Sequence, residues 1–569
     1  MAKTDPFTLE VIQNTIDAIT DEMFAAMRRA AHSTVIYEVL DFGVAIADAK
    51  GDLASQGAGI PLFIGMLDPG FRAVVHRFAD KDAVEPGDIF ICNDPWAGGA
   101  SHLNDVSLIM PVFASGALIA WTACKGHWSD IGGMVAGSVA MDAVEVFQEG
   151  LRFPLMKLFE RGTPVSALLE MIRTNSRLPD AIIGDMWAGV SAVRLGARRI
   201  EEVASTYGLD AVEAAFEAYQ RYGESVSMNA LKELPKGTFR AFGSLEALGD
   251  IQVNVTVTNQ EFTVDLRGNP APVRGPANCP YEVTLAAAKV AFKAITSPES
   301  VCNAGSFRPL RVICDDNSMF AAKEPAPVGI YHEPAAFLTE LILRSLAEHV
   351  PTRVGAGSFG SVGALVIGGT HHETGKPFCL IEPEVGGWGA SYCADGENAQ
   401  FSAIDGETYN TPIEINEARH DLVVQAYGFH GEDGGEGKFR GGRGVVLEYR
   451  LLSHAWTTGI FTPNFLTRPW SMNGGASGSS NRVVIRRADG REETYGKFSN
   501  VPLEPGDVVR VITGHGGGWG DPKHRAVEDI EKDLENEFIS ESHARTAYGY
   551  MRKRLGGSAL APDHSAPID

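Results

Sequence analysis

The chain has 569 residues, too many for one hydrophobic core and enough for two to four domains. Its 44% hydrophobic and 21% charged content is that of a globular protein, and no apolar run reaches the ~18 residues of a membrane span without Pro, Gly or polar breaks. Forty-nine basic against 72 acidic residues leave a formal charge of −23, which repels phosphate backbones and anionic membranes, so neither nucleic acid nor a membrane is an expected partner.

The start, MAKTDPFTLEV, lacks a basic region followed by an apolar one, so no secretory signal is expected. Leu9, Ile12, Ile16, Ile19, Met23 and Met27 recur at helical spacing and predict an amphipathic helix over 9–30, opened by Asp5-Pro6 or capped by Thr8. VIYEVLDFGVAIAD reads as a strand with Asp41 inside it, and GDLASQG as a turn. Ser107–Phe113 and Ala117–Cys124 are strand-like about the turn-like Ala114-Ser115-Gly116. From 164 to 233 the pattern is helical and stops at Leu234-Pro235-Lys236-Gly237. IQVNVTV and FTVDL then alternate as a hairpin, helices follow over 281–295 and 334–349, and LRVICD lies between them. The stretch 355–444 is glycine-rich and turn-dense, with short strands after it at VVLEYRLL, NRVVIRR and DVVRVIT and a charged helix over 527–538. The expected fold class is α+β: several domains with mixed helices and largely antiparallel sheets. Boundaries are placed at 1–235, 236–430 and 431–555, with a mobile tail over 556–569.

The chemistry concentrates between Ile91 and Gly133. His102 and Asp105 precede one strand, and His127 and Asp130 follow the next. A hairpin turning near Ser115 pairs residues whose numbers sum to about 230, which sets His102 opposite Trp128 and Asp105 opposite Lys125. Two imidazoles and two carboxylates then gather at one hairpin end, and these are ligands of Zn, Mn and Fe. The plainer reading is of separate hydrogen-bonded residues, since a lone H-x-x-D is a weak pattern. Asp41, a carboxylate among apolar strand residues, is costly unless a cation or several donors satisfy it, or unless it turns to solvent. Cys124 reads as a buried structural thiol, and the seven scattered cysteines as reduced thiols of a cytoplasmic protein.

Other motifs are decoys. Gly375-Lys376-Pro377 lacks the glycine and the hydroxyl of a phosphate loop. The glycines at 434–435 and 516–520 lack a strand-to-helix setting and suit close backbone approach. No G-x-S-x-G elbow occurs. His371-His372, in a polar turn, is expected in solvent.

Taken in order, DPFTLEVIQNTI, EVLDFGVAIAD, GDLASQG, IPLFIGML, GDIFICNDPWAGGASHLNDVSLIMPVF, NAGSFRPL, GGWGA, DGENAQ, YNTPIEINE, GKFRGGRG, GGGWGDP and SESHARTAYGY resemble the B-type chain of the hydantoinase/oxoprolinase family over nearly the whole sequence. The resemblance implies a metal site of Asp41, His102, Asp105 and His127, holding one divalent ion: zinc first, manganese or iron as alternatives. Asp130 then either orients His127 or acts as a base, or is a salt-bridged or capping carboxylate. An A-type ATPase partner, in an A2B2 heterotetramer, is implied to bind ATP and phosphorylate the carbonyl of a small cyclic amide (a hydantoin, lactam or oxoproline), which this chain hydrolyses. The alternative is a subunit of an ATP-dependent ketone carboxylase. Arg440 and Arg443 fit a phosphate or subunit contact, or plain surface arginines beside a glycine turn. His515 departs from the family pattern, either touching substrate or standing as a local feature.

Overall fold

The computed structural model describes residues 5–78, 83–245, 248–300, 302–431, 434–461 and 468–551; the tail expected from 556 lies outside them. The chain is α+β, with four mostly antiparallel sheets. Among the described residues, no helix is long and apolar enough to cross a membrane.

Helix α1 (Pro6–Ala30) is capped by Asp5 rather than Thr8: the carboxylate accepts the Thr8 N–H at 3.0 Å, and Pro6 occupies the first turn. Its buried face is the predicted Ile12, Ile16, Ile19, Met23 and Met27. The strand expected from Val35 begins late. Residues Thr34–Tyr37 form a single helical turn (α2), and Leu40, at φ 63°, redirects the chain into β1 (Phe42–Asp48). Asp41 therefore stands at the threshold of the strand, not inside it. The β-branched run bends because Val35 and Ile36 gain burial in the core, so packing overrides propensity.

Of GDLASQG only Gly51 and Asp52 belong to a turn; Leu53 to Gly57 form most of β2 (Leu53–Gly59), paired with β1. Its small residues let α1 approach: a Cβ on Gly57 would meet Val44 Cγ2 at 2.7 Å and the Thr20 carbonyl at 3.0 Å. Helix α3 (Pro61–Phe78), β3 (Ile89–Cys92), β4 (Asp105–Ala114), β5 (Ala117–His127), β6 (Met156–Glu160) and β7 (Thr163–Pro164) complete the first sheet, ordered β2-β1-β5-β4-β3-β6-β7. Helices α4 (Ser166–Asn175), α5 (Pro179–Tyr207) and α6 (Leu209–Glu233) follow as predicted. Residues of α1 and α5 cover one face of this sheet with Val44, Ile46, Leu108 and Cys124. Ile64, Leu67, Phe71 and Val74 of α3 cover the other with Ala45, Ile109, Trp121 and Ala123.

A second sheet, β11-β10-β9-β8, comprises β8 (Gly237–Leu245), β9 (Gly249–Val257), β10 (Phe262–Asp265) and β11 (Leu310–Ile313), the last pair parallel. It packs under α7 (Tyr281–Thr296) and α8 (His332–Ala347). The glycine-rich stretch supplies β12 (Ala364–Thr370), β13 (Pro377–Glu382), α9 (Ile413–Arg419) and β14 (Leu422–Phe429). With β15 (Val445–Leu451), β16 (Ala455–Ile460), β17 (Arg482–Arg486), β18 (Glu492–Tyr495), β19 (Lys497–Leu503) and β20 (Val508–Ile512) they form two sheets over one shared core. The short helices α10 (Val527–Glu535) and α11 (Glu541–Tyr548) close the described chain. The glycines near 516 do serve close backbone approach: a Cβ on Gly516 would lie 2.0 Å from the Trp388 carbonyl oxygen.

Candidate metal centre

The β4–β5 hairpin turns at Ser115-Gly116, both at positive φ, with Ala114 opposite Ala117. An irregularity at Val112/Phe113, where Val112 faces Ala120 and Phe113 faces Leu118, leaves Ile119 extra and moves the register by one. The facing numbers then sum to 232 (105 + 127), so Asp105 lies opposite His127 itself, not opposite Lys125. Lys125 faces Ser107. Asp41, just before the neighbouring strand β1, stands beside His127, and its carbonyl accepts the His127 N–H at 3.0 Å.

Three donor atoms converge. His102 Nε2 is 3.0 Å from Asp105 Oδ1 and 3.2 Å from His127 Nδ1, and His127 Nδ1 is 3.3 Å from the same oxygen. Asp41 Oδ2 lies 3.9 Å from His127 Nδ1. Ligands of one tetrahedral zinc stand about 3.3 Å apart at Zn–N of ~2.05 Å, so the first three distances fit directly. Asp41 stands outside the group of donors within 4.8 Å of one another and would have to move inward to join them. His102, Asp105 and His127 are buried, and the Asp41 side chain is 16% exposed.

The surroundings fix each donor. His102 Nδ1–H donates to the Gly329 carbonyl at 2.9 Å, which leaves the Nε2 lone pair facing the cluster. Asp105 Oδ2 accepts from the Ser101 hydroxyl and, at 2.9 Å, from the Tyr331 hydroxyl, so Oδ1 is turned to the imidazoles. The Gly329 peptide is itself held, because Glu149 Oε1 accepts the Val328 and Gly329 N–H groups at 2.9 and 2.7 Å.

Electrostatics records the crowding. Burial, then the charges of Asp105 and Asp405, hold the Asp41 carboxyl well above the usual carboxylate range. Burial alone would raise Asp105, but His102 and His127 take it well below that range. His102 is pulled down by burial yet raised on balance by Asp105, whereas burial keeps His127 low. Lone pairs this close require a shared proton or a cation between them. Two imidazoles with two carboxylates are a donor set for zinc, manganese or iron, and the buried His127 Nε2 has no hydrogen-bond partner.

A cavity opens onto the cluster. Asp41, His102 and His127 share its wall with Ile60, Phe63, Val139, Val362, Val366 and Ile381, and its polar groups include His332, Asp405 and Thr408. Its volume, about 60 Å³, is below the ~300–1,000 Å³ usual for a ligand site, and its wall is mostly apolar with a few convergent polar groups. Asp130 is placed elsewhere. Its carboxylate accepts from Gly132 N, Gly137 N and Arg177 N at 3.0–3.1 Å and pairs with the Arg177 guanidinium at 2.9 Å, tying down the loop after His127.

The remaining candidates fall outside this pocket. Arg440 and Arg443 are buried, not on the surface: Arg440 bonds Asp533 at 3.1 Å, and Arg443 donates to the Gly431 carbonyl at 2.7 Å. His515 is buried beside them, its Nε2 2.9 Å from the His430 carbonyl, and burial takes its pKa down to about 3. Of the histidine pair expected in solvent, His372 is half-exposed, but its Nδ1 lies 2.5 Å from the buried Asp421. His371 is mostly covered, 3.9 Å from that carboxylate. Cys124 packs in the core, burial pushing its thiol up to about 12, and all seven cysteines are free. Sequence reasoning did not single out Ser101, Glu149, Tyr331, His332, Asp405 or Thr408. All but Ser101 lie far from the hairpin in the chain, and nothing short of the fold brings them to it.

Fold and site define the class: an α+β protein that gathers buried imidazoles and carboxylates at the wall of an apolar cavity. Residues 5–522 match the Hydantoinase B/oxoprolinase family model, and the chain belongs to that family. It is 29% identical to the B-type chain of a putative D-/L-hydantoinase from Pseudomonas sp. (strain NS671), covering 96% of this chain and 95% of that one. The crystal structure of the ATP-dependent caprolactamase from Pseudomonas jessenii superposes with a TM-score of 0.90 at 27% identity, covering 98% of both chains. A nucleotide-free acetone carboxylase shares the fold, with a TM-score of 0.88 at 17% identity over 96% of this chain and 80% of that one.

Proposed function

We propose that this chain is the hydrolytic, metal-holding subunit of an ATP-dependent cyclic amide hydrolase of the hydantoin, lactam or oxoproline type. The observation that carries this reading is the convergence of His102, Asp105 and His127, with Asp41 near His127, at the wall of an apolar cavity. It is supported by full-length similarity to a hydantoinase subunit and an ATP-dependent caprolactamase.

Asp41 Oδ2, His102 Nε2, Asp105 Oδ1 and His127 Nδ1 would hold one divalent ion, zinc by preference. When bound, such an ion supplies a Lewis acid that acidifies water and polarises oxygen. The chain's own residues do the rest. Tyr331 and Ser101 aim Asp105, Gly329 fixes the His102 tautomer, and the apolar wall of Ile60, Phe63 and Val366 keeps bulk water from the substrate. Asp130 positions the loop behind His127. The chain carries no phosphate loop, so ATP is assigned to an A-type partner subunit, in an A2B2 assembly, which phosphorylates the ring carbonyl oxygen. An unactivated amide is a poor electrophile. On the phosphorylated one water adds to the carbon, and the ring C–N bond breaks with the nitrogen taking a proton. The acyl phosphate left is hydrolysed by a second water to carboxylate and inorganic phosphate. The free thiols fit a reducing cytoplasm.

His127→Ala is expected to abolish ring opening while ATP hydrolysis by the partner persists in part. Normal ring opening by that variant would contradict the assignment. Turnover in labelled bicarbonate separates the carboxylase alternative: label recovered in a new carboxylate would overturn the hydrolase reading.

A further inference from the structure

The cavity has a second polar side that the metal ligands do not explain. Asp405 is 8% exposed and its Oδ2 has no hydrogen-bond partner. Thr408 Oγ1, lining the same cavity, also has none, and His332 Nδ1 has Glu333 Oε1 at 3.6 Å, beyond hydrogen-bond distance. Buried polar atoms without partners are costly, and two around one cavity, with a loosely held imidazole beside them, mark a place where a ligand completes the bonding.

The fold holds Asp405 there through backbone contacts on both sides. Leu62 N–H donates to the Ile404 carbonyl at 3.1 Å, and Tyr409 N–H donates to the Val39 carbonyl at 3.0 Å. The loop carrying Asp405 and Thr408 is thus stitched to the segment before β1, the strand that Asp41 precedes, and to the first turn of α3. Gly406, at φ 56°, lies against Pro61, where a Cβ would come within 2.6 Å of the ring. These contacts fix the loop that brings the Asp405 side chain to the cavity wall.

On the hydrolase reading given above, we propose that Asp405, with Thr408 and His332 beside it, is the specificity-determining edge of the pocket and selects the cis-amide edge of a ring. In a small lactam or hydantoin the N–H and C=O point to the same side. A neutral carboxyl presents an acceptor and a donor in the matching order, so two parallel hydrogen bonds form. A ketone offers only an acceptor, an N-methylated lactam has lost its donor, and hydantoin loses both of its donors when N1 and N3 are methylated. Burial and the charge of Glu333 favour the neutral form of Asp405.

The test uses the complex with its ATPase partner and the metal-loaded chain alone, with hydantoin, caprolactam and their fully N-methylated derivatives, 1,3-dimethylhydantoin and N-methylcaprolactam, as probes. Wild type is expected to bind each parent ring at least tenfold more tightly than its N-methyl derivative, read by ligand-observed NMR on the loaded chain. Asp405→Leu is expected to raise KM tenfold or more with little change in kcat and with metal content unchanged. Asp405→Asn, which keeps an acceptor and a donor on one edge, is expected within threefold of wild type, and Thr408→Val serves as a milder second variant with a smaller rise in KM. Equal binding of parent and N-methyl rings, or an unchanged KM in Asp405→Leu, overturns the assignment of Asp405 alone. A wild-type complex that consumes neither ring overturns the hydrolase reading together with it.

Discussion

Tyr331→Phe isolates the positioning of a metal ligand from its chemistry. Asp105 Oδ2 has two donors, the Ser101 and Tyr331 hydroxyls, and the substitution removes the second, at 2.9 Å. The aromatic ring stays, with its edge-on contact to His102 at a centroid distance of 5.0 Å, so the fold is retained. A hydrogen bond to a charged acceptor contributes ~1.5–3 kcal/mol. Much of that is lost from both the metal-free and the loaded protein, and what reaches affinity is the loosened aim of Oδ1. Groups behind metal ligands are typically worth ~10–100-fold in affinity, and with Ser101 still in place the lower end, ~10-fold or about 1.4 kcal/mol, is expected. Competition against a chromogenic chelator reads this directly. Affinity within twofold of wild type would refute the idea that Tyr331 orients Asp105 toward an ion.

Further expectations concern stability. Burial raises the Glu149 carboxyl to about 7 from an ordinary 4.5. The folded state therefore holds this proton more tightly than the unfolded one, and stability present below pH 4.5 is lost as pH rises toward 7. The loss is on the order of 3 kcal/mol. Glu149→Gln keeps the acceptor for Val328 and Gly329, so chelated variant protein is expected to lack this fall in urea unfolding; an unchanged slope would contradict it. Arg440→Ala removes a buried cation from Asp533, which Arg525 still pairs at 2.8 Å, and is expected to cost ~3 kcal/mol in urea unfolding without altering metal content. Loss of the ion in that variant would show the two regions to be coupled. In wild type, occupancy is expected to fall as pH drops from just above the ordinary imidazole value of 6.5, because His102 is raised there and protons compete for its lone pair. Occupancy that held to pH 4 would speak against imidazole ligation.

What could be read before the fold was known follows from how local the information is. Helices α1, α5 and α6 announce themselves by apolar spacing, and the β4–β5 hairpin by its turn. The hairpin's register missed by two: the turn at Ser115-Gly116 moves the sum of facing numbers from 230 to 231, and one extra residue, Ile119, which no local pattern marks, moves it to 232 and sets Asp105 opposite His127 instead of Lys125. Strand β2 went unseen because its small residues are chosen for the approach of α1, not for strand propensity. Asp41, His102, Asp105 and His127 stood out by residue type and family resemblance. Tyr331 and Glu149 act through bonds that span 226 and 180 positions, and only tertiary structure reveals such pairs.

Elemental analysis of the chain purified with its partner and without chelator bears most directly on the whole scheme. One divalent ion per chain is expected in wild type, and close to none in His102→Ala, Asp105→Ala and His127→Ala. Metal-free wild type, or an ion that persists in all three variants, would contradict it.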